Sequence, residues 1–170
     1  MSTNKETPSE EDSVESCIFC LIARNEDKEA EVVAKNEELV CFRDIDPAAP
    51  HHYLVVPKQH IHSCFSLHRG HIDLVKRMAK MGKDVLREQG ITDMKDTRLG
   101  FHQPPYISVN HLHLHVLAPI SQISKYMAYK FIPETVSFVT VSDQDSDAFP
   151  TPYFIDFSLH SFAILTGCGK

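Results

Sequence analysis

The sequence predicts an α+β domain built on an antiparallel sheet. Its 170 residues are 42% hydrophobic and 24% charged, which is the balance of a single soluble globular domain with one core. Only one long stretch carries its apolar residues at helical spacing, whereas several short runs are rich in the β-branched and aromatic residues typical of strands. A few strands combined with one long helix form the pattern of a small α+β fold.

The first 16 residues form an acidic segment. A single lysine stands against five acidic residues. With almost no apolar side chain to bury, residues 1–16 are expected to be a disordered tail. The segment has no apolar stretch behind a basic start and is therefore unlike a signal peptide, so we expect a cytosolic or nuclear protein. In these compartments the five cysteines are expected as thiols or metal ligands.

The charge of the chain limits its partners. A formal net charge of -6 gives no general attraction for a polyanion, so we expect neither nucleic acid nor an anionic membrane as a partner. The sequence also contains no transmembrane span. A small anionic ligand can still bind at a local site.

The first elements follow in order along the chain. The short apolar run at residues 17–23 predicts a helical turn. Residues 39–45 and 53–56 are β-branched or aromatic runs bounded by prolines, which predicts two strands. Residues 66–89 carry apolar side chains at helical spacing, and Gly90 stands where a C-terminal cap is expected.

Two further strands are predicted at residues 98–102 and 108–118. The Gln-Pro-Pro between them is not tolerated in a strand interior. In the second strand, successive side chains point to opposite faces, which places His111, His113 and His115 on one face. The other face is expected in the core and carries Leu112, Leu114 and Val116. Taken alone, the histidine row is also compatible with a surface cluster or a His-x-His zinc site.

An upstream motif favours a catalytic interpretation of the three histidines. Phe42-Arg-Asp-Ile is followed by a proline-containing turn and then by His52-Tyr-Leu-Val-Val-Pro-Lys-Gln-His-Ile. Together with the His-Leu-His-Leu-His-Val run, this resembles the histidine triad family, specifically the Hint proteins and most closely their third animal branch. The resemblance covers residues 17–138. It implies the HIT-like fold, an antiparallel sheet of about five strands with one long helix and a short N-terminal helix.

The resemblance also implies an activity, the hydrolysis of purine nucleoside phosphoramidates through a covalent nucleotidyl-histidine. The nucleophile corresponds to His113, which is supported by His111, His115 and the upstream His52. The nucleotide-binding positions correspond to Ile18, Phe19, Ile22, Phe42 and Ile45 at the base, Asp44 at the ribose, Ser108 at the phosphate, and His113 and His115. Apolar walls suit a flat purine, and an ionised carboxylate accepts both ribose hydroxyls. A neutral imidazole is a good nucleophile near pH 7 and requires no cofactor.

One loop departs from the family pattern. Typical Hint proteins carry an Asn and a Gly-rich loop ahead of the triad, whereas residues 100–105 here read Gly-Phe-His-Gln-Pro-Pro. This loop is shorter and stiffer, so phosphate contacts from the loop are not carried over.

A structural zinc is a further expectation. Cys17 and Cys20 have the spacing of thiolate ligands. In some bacterial members of the family such a site is completed by the histidine after Pro-Lys-x and by the first triad histidine, here His60 and His111. The alternative reading is two buried apolar cysteines that pack as small hydrophobic residues.

Two other functions remain open. The related Fhit branch hydrolyses dinucleoside polyphosphates, but its signature places a Gln shortly after the third triad histidine, where this chain has Leu117, Ala118 and Pro119. The other alternative is a nucleotide-binding adaptor with little turnover, whose pocket senses AMP.

The resemblance implies a homodimer or larger oligomer, in which the helix and an edge strand of each subunit meet their counterparts. Residues 139–170 form a divergent C-terminal tail that matches nothing in the family pattern. The tail is dense in apolar side chains, so we expect it to be partly disordered or to drive further association.

Overall fold

A computed structural model of the chain describes residues 14–141. Most of the predicted acidic tail and nearly all of the predicted C-terminal tail lie outside these residues. The helices are α1 (Ile18–Ala23) and α2 (Ile72–Glu88). The strands are β1 (Val32–Lys35), β2 (Leu39–Arg43), β3 (His51–Pro57), β4 (Arg98–His102), β5 (Leu114–Ala118) and β6 (Phe138–Thr140).

The strands form one antiparallel sheet in the order β1-β2-β3-β5-β4-β6. The predicted α+β class and both predicted helices are confirmed. The sheet has six strands rather than about five, because the short strands β1 and β6 extend its two sides. Strand β6 continues to Thr140, two residues past the predicted domain boundary at 138.

The strand predicted at residues 108–118 begins later than expected. Strand β5 starts at Leu114 rather than at Ser108. The residues just before β5 do not pair with a neighbouring strand. Instead, the Leu112 N–H donates a hydrogen bond to the Ile61 carbonyl at 2.6 Å. The side chains nevertheless keep their alternation, and Leu112, Leu114 and Val116 lie in the main core with α2.

Helix α2 packs on the sheet behind the histidines. It begins six residues later than predicted, after short 3-10 turns at Cys64–Ser66 and Arg69–His71. A Cβ at Gly82 would lie 2.5 Å from Cγ2 of Val116, so glycine allows the helix to approach β5 closely. The predicted cap at Gly90 is confirmed by its φ of 84°.

The outer side of α2 carries charged side chains that form ion pairs. Arg77 donates to Glu38 in a two-pronged ion pair, and Lys80 and Arg87 both contact Asp84. The apolar stripe is thus buried in this chain's own core. Among residues 14–141, no helix is both long and apolar enough to cross a bilayer.

Candidate active site

The predicted catalytic histidines come together from β3 and from the segment that enters β5. His52, His111, His113 and His115 are all buried, and none is more than 6% exposed. Strand β3 pairs with β5 so that His52 lies opposite Leu117 and His115 opposite Leu54. The two histidines are therefore diagonal neighbours on one face of the sheet.

A backbone carbonyl determines which nitrogen of His113 carries the proton. Nδ1 of His113 lies 2.6 Å from the carbonyl oxygen of His111. A carbonyl only accepts, so Nδ1 holds the hydrogen of the neutral ring and donates it. Nε2 then keeps its lone pair and makes no hydrogen bond to residues 14–141. The geometry thus leaves Nε2 of His113 available as a nucleophile.

A second backbone group orients His52 and, through it, His115. The Ala48 N–H donates to Nδ1 of His52 at 3.0 Å, so the hydrogen of the neutral His52 ring is on Nε2. That nitrogen lies 2.9 Å from Nδ1 of His115 and donates to it. His115 therefore carries its hydrogen on Nε2, a buried N–H that has no partner in the described structure. An unpartnered buried donor is costly and indicates a place for an acceptor of a ligand.

Asp44 lies directly beside this histidine pair. Its Oδ2 is 3.3 Å from Nε2 of His52 and 3.9 Å from Nδ1 of His115, and its Oδ1 accepts the Asp46 N–H at 2.9 Å. Burial raises the pKa of the Asp44 carboxyl. Asp44, the residue predicted to bind the ribose, thus lies within the histidine cluster, and a bound ribose would have to share its carboxylate with His52.

The cluster is held in its neutral form by burial. Desolvation lowers the pKa of His52 and His111 to about 4, and it also lowers the pKa of His113 and His115. The carbonyl of His111 opposes this shift at His113, because it stabilises the protonated ring. At pH 7 the rings can therefore act as lone-pair donors and neutral N–H donors.

The predicted base-binding residues divide into a buried set and an exposed set. Phe19, Ile22 and Phe42 are buried together in a small second core. Phe19 joins that core to His113, because the two rings meet edge-on with 5.3 Å between their centroids. In contrast, Ile45 is fully exposed and Ile18 is 39% exposed. A base lying against Phe19 would have to cover these two side chains.

Ser108 makes no hydrogen bond to the histidines in the described structure. It lies in a bend ahead of β5 and is exposed. Its assignment to the phosphate, like the individual assignments of the base-binding residues, stays a prediction.

The four predicted metal ligands do converge. Their ligand atoms all lie within 4.8 Å of one another. Sγ of Cys20 is 3.4 Å from Nδ1 of His111 and 3.2 Å from Nδ1 of His60, and Sγ of Cys17 is 3.5 Å from Nδ1 of His111. In a tetrahedral zinc site, bond lengths of about 2.3 Å to sulfur and 2.0 Å to nitrogen place such atoms about 3.5 Å apart.

The protonation of His111 also suits a cation. Its Nε2 donates to the Pro57 carbonyl at 2.8 Å, which leaves a lone pair on Nδ1 facing the cysteines. Nε2 of His111 is bonded to Pro57 and Nδ1 faces the two cysteines, so neither nitrogen is directed at His113. In this structure the residue contacts His113 through its backbone carbonyl, while its ring belongs to the cysteine cluster.

A second group, Asp44, His52 and His115, is equally compact but fits a metal poorly. Nδ1 of His52 already accepts the Ala48 N–H, so Nε2 must carry the hydrogen and has no lone pair to offer. The cysteine cluster is therefore the better metal site.

Sequence reasoning did not assign His102, Phe131 or Phe138 to the site. The ring of His102 lies edge-on to His115 with centroids 4.6 Å apart. Phe131 contacts His52 and His115, each at 5.4 Å, and Phe138 packs on Phe131 and His102. Strand register brings His102 to the site, since Gly100 pairs with His115 and the same register places His102 opposite His113. Register is a property of the folded sheet and is not visible in the local sequence. No local pattern identifies the two phenylalanines.

Comparisons with known proteins identify chains of similar sequence and fold. Residues 16–130 match a family model described as "Scavenger mRNA decapping enzyme C-term binding". The chain is 56% identical over 128 residues to adenosine 5'-monophosphoramidase HINT3 of Danio rerio, covering 75% of this chain and 80% of that protein. It is 46% identical to the protein of the same name from Xenopus tropicalis, with 75% and 84% covered. A crystal structure of a HIT family hydrolase from Legionella pneumophila Philadelphia 1 aligns with a TM-score of 0.57 and 33% identity, covering 61% of this chain and 92% of that one.

Proposed function

The chain belongs to the Hint branch of the histidine triad family, and on that premise we propose that it hydrolyses purine nucleoside phosphoramidates. The proposed substrates are AMP joined to an amine through a P–N bond. Aminoacyl adenylates, in which AMP is joined to an amino acid through a P–O bond, are proposed as a second group of substrates. The named relatives are adenosine 5'-monophosphoramidases, and their reaction is the one that the histidine cluster performs here.

The observation that carries this proposal is the lone pair on His113. The carbonyl of His111 keeps the proton on Nδ1 at 2.6 Å, so Nε2 is unprotonated and directed away from the backbone. Attack by Nε2 on phosphorus forms a nucleotidyl-histidine and releases the amine. Water then hydrolyses this intermediate and releases AMP, so that one difficult displacement becomes two easier ones.

His115 stabilises the charge that develops during each displacement. Its buried Nε2–H has no partner in the described structure, and a non-bridging phosphate oxygen is a suitable acceptor. His52 and the Ala48 N–H hold this donor in place. A preorganised donor needs no rearrangement during the reaction, which makes it effective in a water-poor site. The attacking atom and this donor are both imidazole nitrogens, so we propose that catalysis needs no cofactor.

A turnover assay separates this function from its two alternatives. Purified protein is given adenosine 5'-phosphoramidate and, in parallel, diadenosine polyphosphate. We expect AMP from the phosphoramidate at a much higher kcat/KM. Faster cleavage of the dinucleotide would favour the polyphosphate hydrolase, and AMP binding without turnover of either compound would favour the adaptor.

We also propose a structural zinc at Cys17, Cys20, His60 and His111, because the donor set and its spacing fit the ion. Zinc there would join α1 to the segment that carries the triad and would add binding free energy to folding. Burial raises the pKa of Cys20 to about 11, so zinc would have to displace the thiol proton.

The zinc proposal predicts about one zinc per chain in protein purified without chelator. Metal analysis should show this stoichiometry, and chelation should lower the melting temperature. Cys20→Ser should lose the metal, whereas Cys168→Ser, a cysteine outside the described residues, should retain it. Protein that contains no zinc and is indifferent to chelator would refute the site.

Location and assembly complete the proposal. We propose a cytosolic or nuclear protein, and the four free cysteines among the described residues support a reducing compartment. We also propose a homodimer. Strand β6 pairs with β4 and the apolar stripe of α2 is buried in its own core, so the twofold contact would have to use an edge at β1 or β6.

A further inference from the structure

His102 is an imidazole outside the triad that faces the reaction centre. It ends β4 and lines the same small cavity as His113. Its ring contacts His115, Phe131 and Phe138, with centroids 4.6, 5.1 and 5.1 Å away. The side chain is half-buried, unlike the fully enclosed triad histidines. It therefore lies between the catalytic cluster and solvent.

A backbone carbonyl also fixes the protonation of this ring. Nδ1 of His102 lies 3.1 Å from the carbonyl oxygen of Ser137 and donates to it. Nε2 of the neutral ring consequently carries a lone pair, and it makes no hydrogen bond within residues 14–141. The Ser137 bond persists when Nε2 takes up a proton, so the ring can change its charge without turning.

Each of the neighbouring histidines is poorly suited to exchange a proton with the substrate or with water. Both nitrogens of His52 are engaged, by Ala48 and by His115. Nε2 of His113 is used in the attack on phosphorus. His115 carries its hydrogen on Nε2 and, as a neutral ring, is a hydrogen-bond donor and a very weak acid. The reaction nevertheless needs an acid for the leaving amine and a base for the attacking water.

We propose that His102 is this acid and base, a catalytic residue that exchanges a proton with the leaving amine and with water. The proposal rests on the proposed phosphoramidate hydrolysis. Before the first step, Nε2 of His102 takes up a proton from solvent while Nδ1 keeps its bond to Ser137. The bond from Nε2 of His113 to phosphorus then forms and the P–N bond breaks. The electron pair of that bond goes to the amine nitrogen, which takes the proton from Nε2 of His102.

The second step restores the starting state. The water oxygen bonds to phosphorus, the bond between phosphorus and His113 breaks, and its electron pair returns to Nε2 of His113. The proton released by the water goes to Nε2 of His102. The sum of both steps is phosphoramidate plus water giving AMP plus amine, with His102 protonated again.

The test compares leaving groups that differ in their need for a proton. An amine must be protonated to leave, whereas p-nitrophenolate leaves as a stable anion. Adenosine 5'-phosphoramidate and the p-nitrophenyl ester of AMP are therefore given to the wild type, to His102→Gln and to His102→Phe. His51→Gln is the matched control, because His51 points to the other face of β3 and bonds Tyr53.

With the phosphoramidate, kcat/KM of the His102 variants should fall about 100-fold or more, the usual contribution of a general acid or base. With the ester, the rate of the initial p-nitrophenol burst should change less than about threefold, followed by slow turnover because the second step lacks its base. His51→Gln should match the wild type with both substrates.

Other outcomes overturn the inference. An equal fall in the burst rate with both substrates, at unchanged AMP affinity, would make His102 a positioning residue only. Unchanged phosphoramidate kinetics in His102→Gln would remove it from the reaction. If His102→Phe does not fold, His102→Gln decides alone. Failure of the wild type to cleave the phosphoramidate is a separate result, which refutes the proposed function itself.

Discussion

Single backbone groups determine what each histidine of this site can do. The carbonyl of His111 leaves the lone pair of His113 on Nε2, whereas the Ala48 N–H makes His115 a donor through His52. The same residue type is thus prepared for three different proposed roles: His113 as the nucleophile, His52 as the residue that orients His115, and His115 as an N–H donor. Residue identity alone does not distinguish these roles.

Residue-level prediction from sequence was limited for this reason. Alternation in a strand was enough to place His111, His113 and His115 on one side and three aliphatic residues in the core. Alternation did not indicate that the ring of His111 turns to the cysteines. That expectation came only from the family resemblance, and the ring's orientation depends on the Pro57 carbonyl, a group 54 residues away in the chain. His102 was missed because its role depends on strand register and on the Ser137 carbonyl.

Because His52 is buried and neutral in the folded protein, the stability of the protein should depend on pH. The pKa of His52 is about 4 in the folded protein and about 6.5 in an unfolded chain. The unfolded state therefore binds more protons between these values, and the free energy of unfolding should fall as the pH decreases from about 6.5 to about 4. Below about pH 4 the free energy of unfolding falls no further on account of His52, because this residue is then protonated in both the folded and the unfolded state. For this residue alone the contribution is on the order of 3 kcal/mol.

Urea unfolding at several pH values between 7 and 4 measures this slope. His52→Gln should be less stable at pH 7, because Ala48 loses its acceptor, but should lose less stability on acidification. The interpretation is contradicted if the variant and the wild type lose the same free energy of unfolding over this range.

At the level of elements, the sequence was informative where an element is long or strongly patterned. Helix α2, its cap at Gly90 and strands β2 to β5 were expected. Strands β1 and β6 were not, since they have only four and three residues. Short strands depend on pairing with a neighbour, and pairing is not visible in local sequence.

The contact between β4 and β6 predicts a specific sensitivity at Gly100. A Cβ there would lie 2.5 Å from the carbonyl oxygen of Val139 and 2.5 Å from Cζ of Phe138. A backbone oxygen cannot move without loosening the β4 and β6 pairing, so Gly100→Ala should lower the free energy of unfolding by about 1–3 kcal/mol. Glu88→Ala, at the exposed end of α2, is the control and should change it by less than about 0.5 kcal/mol. Equal stability of the two variants in urea would refute the close approach.

For the whole molecule, the open question is how the sheet edges are used. An edge strand offers unpaired backbone groups to another chain, and β1 and β6 are the two edges here. We predict a mass of two chains in light scattering at micromolar concentration, with larger species that disappear when the chain is cut after residue 143. A monomer would refute the dimer, and identical masses before and after truncation would show that the tail does not drive association.

In the proposed mechanism, His113 forms a covalent bond to phosphorus. His113→Asn should therefore lose at least about a thousandfold in kcat/KM. It should still bind AMP, because the base and ribose contacts lie on other residues. A variant that keeps a tenth of the wild-type rate would contradict the assignment.

The most direct measurement is to trap that intermediate. Wild-type protein is mixed with adenosine 5'-phosphoramidate, quenched in alkali within one turnover, digested and analysed by mass spectrometry. We predict one adenylyl group per chain, stable in base and labile in acid, on the peptide that contains His113, and none in His113→Asn. AMP formation without any adduct, or an adduct on a residue other than His113, would contradict the mechanism.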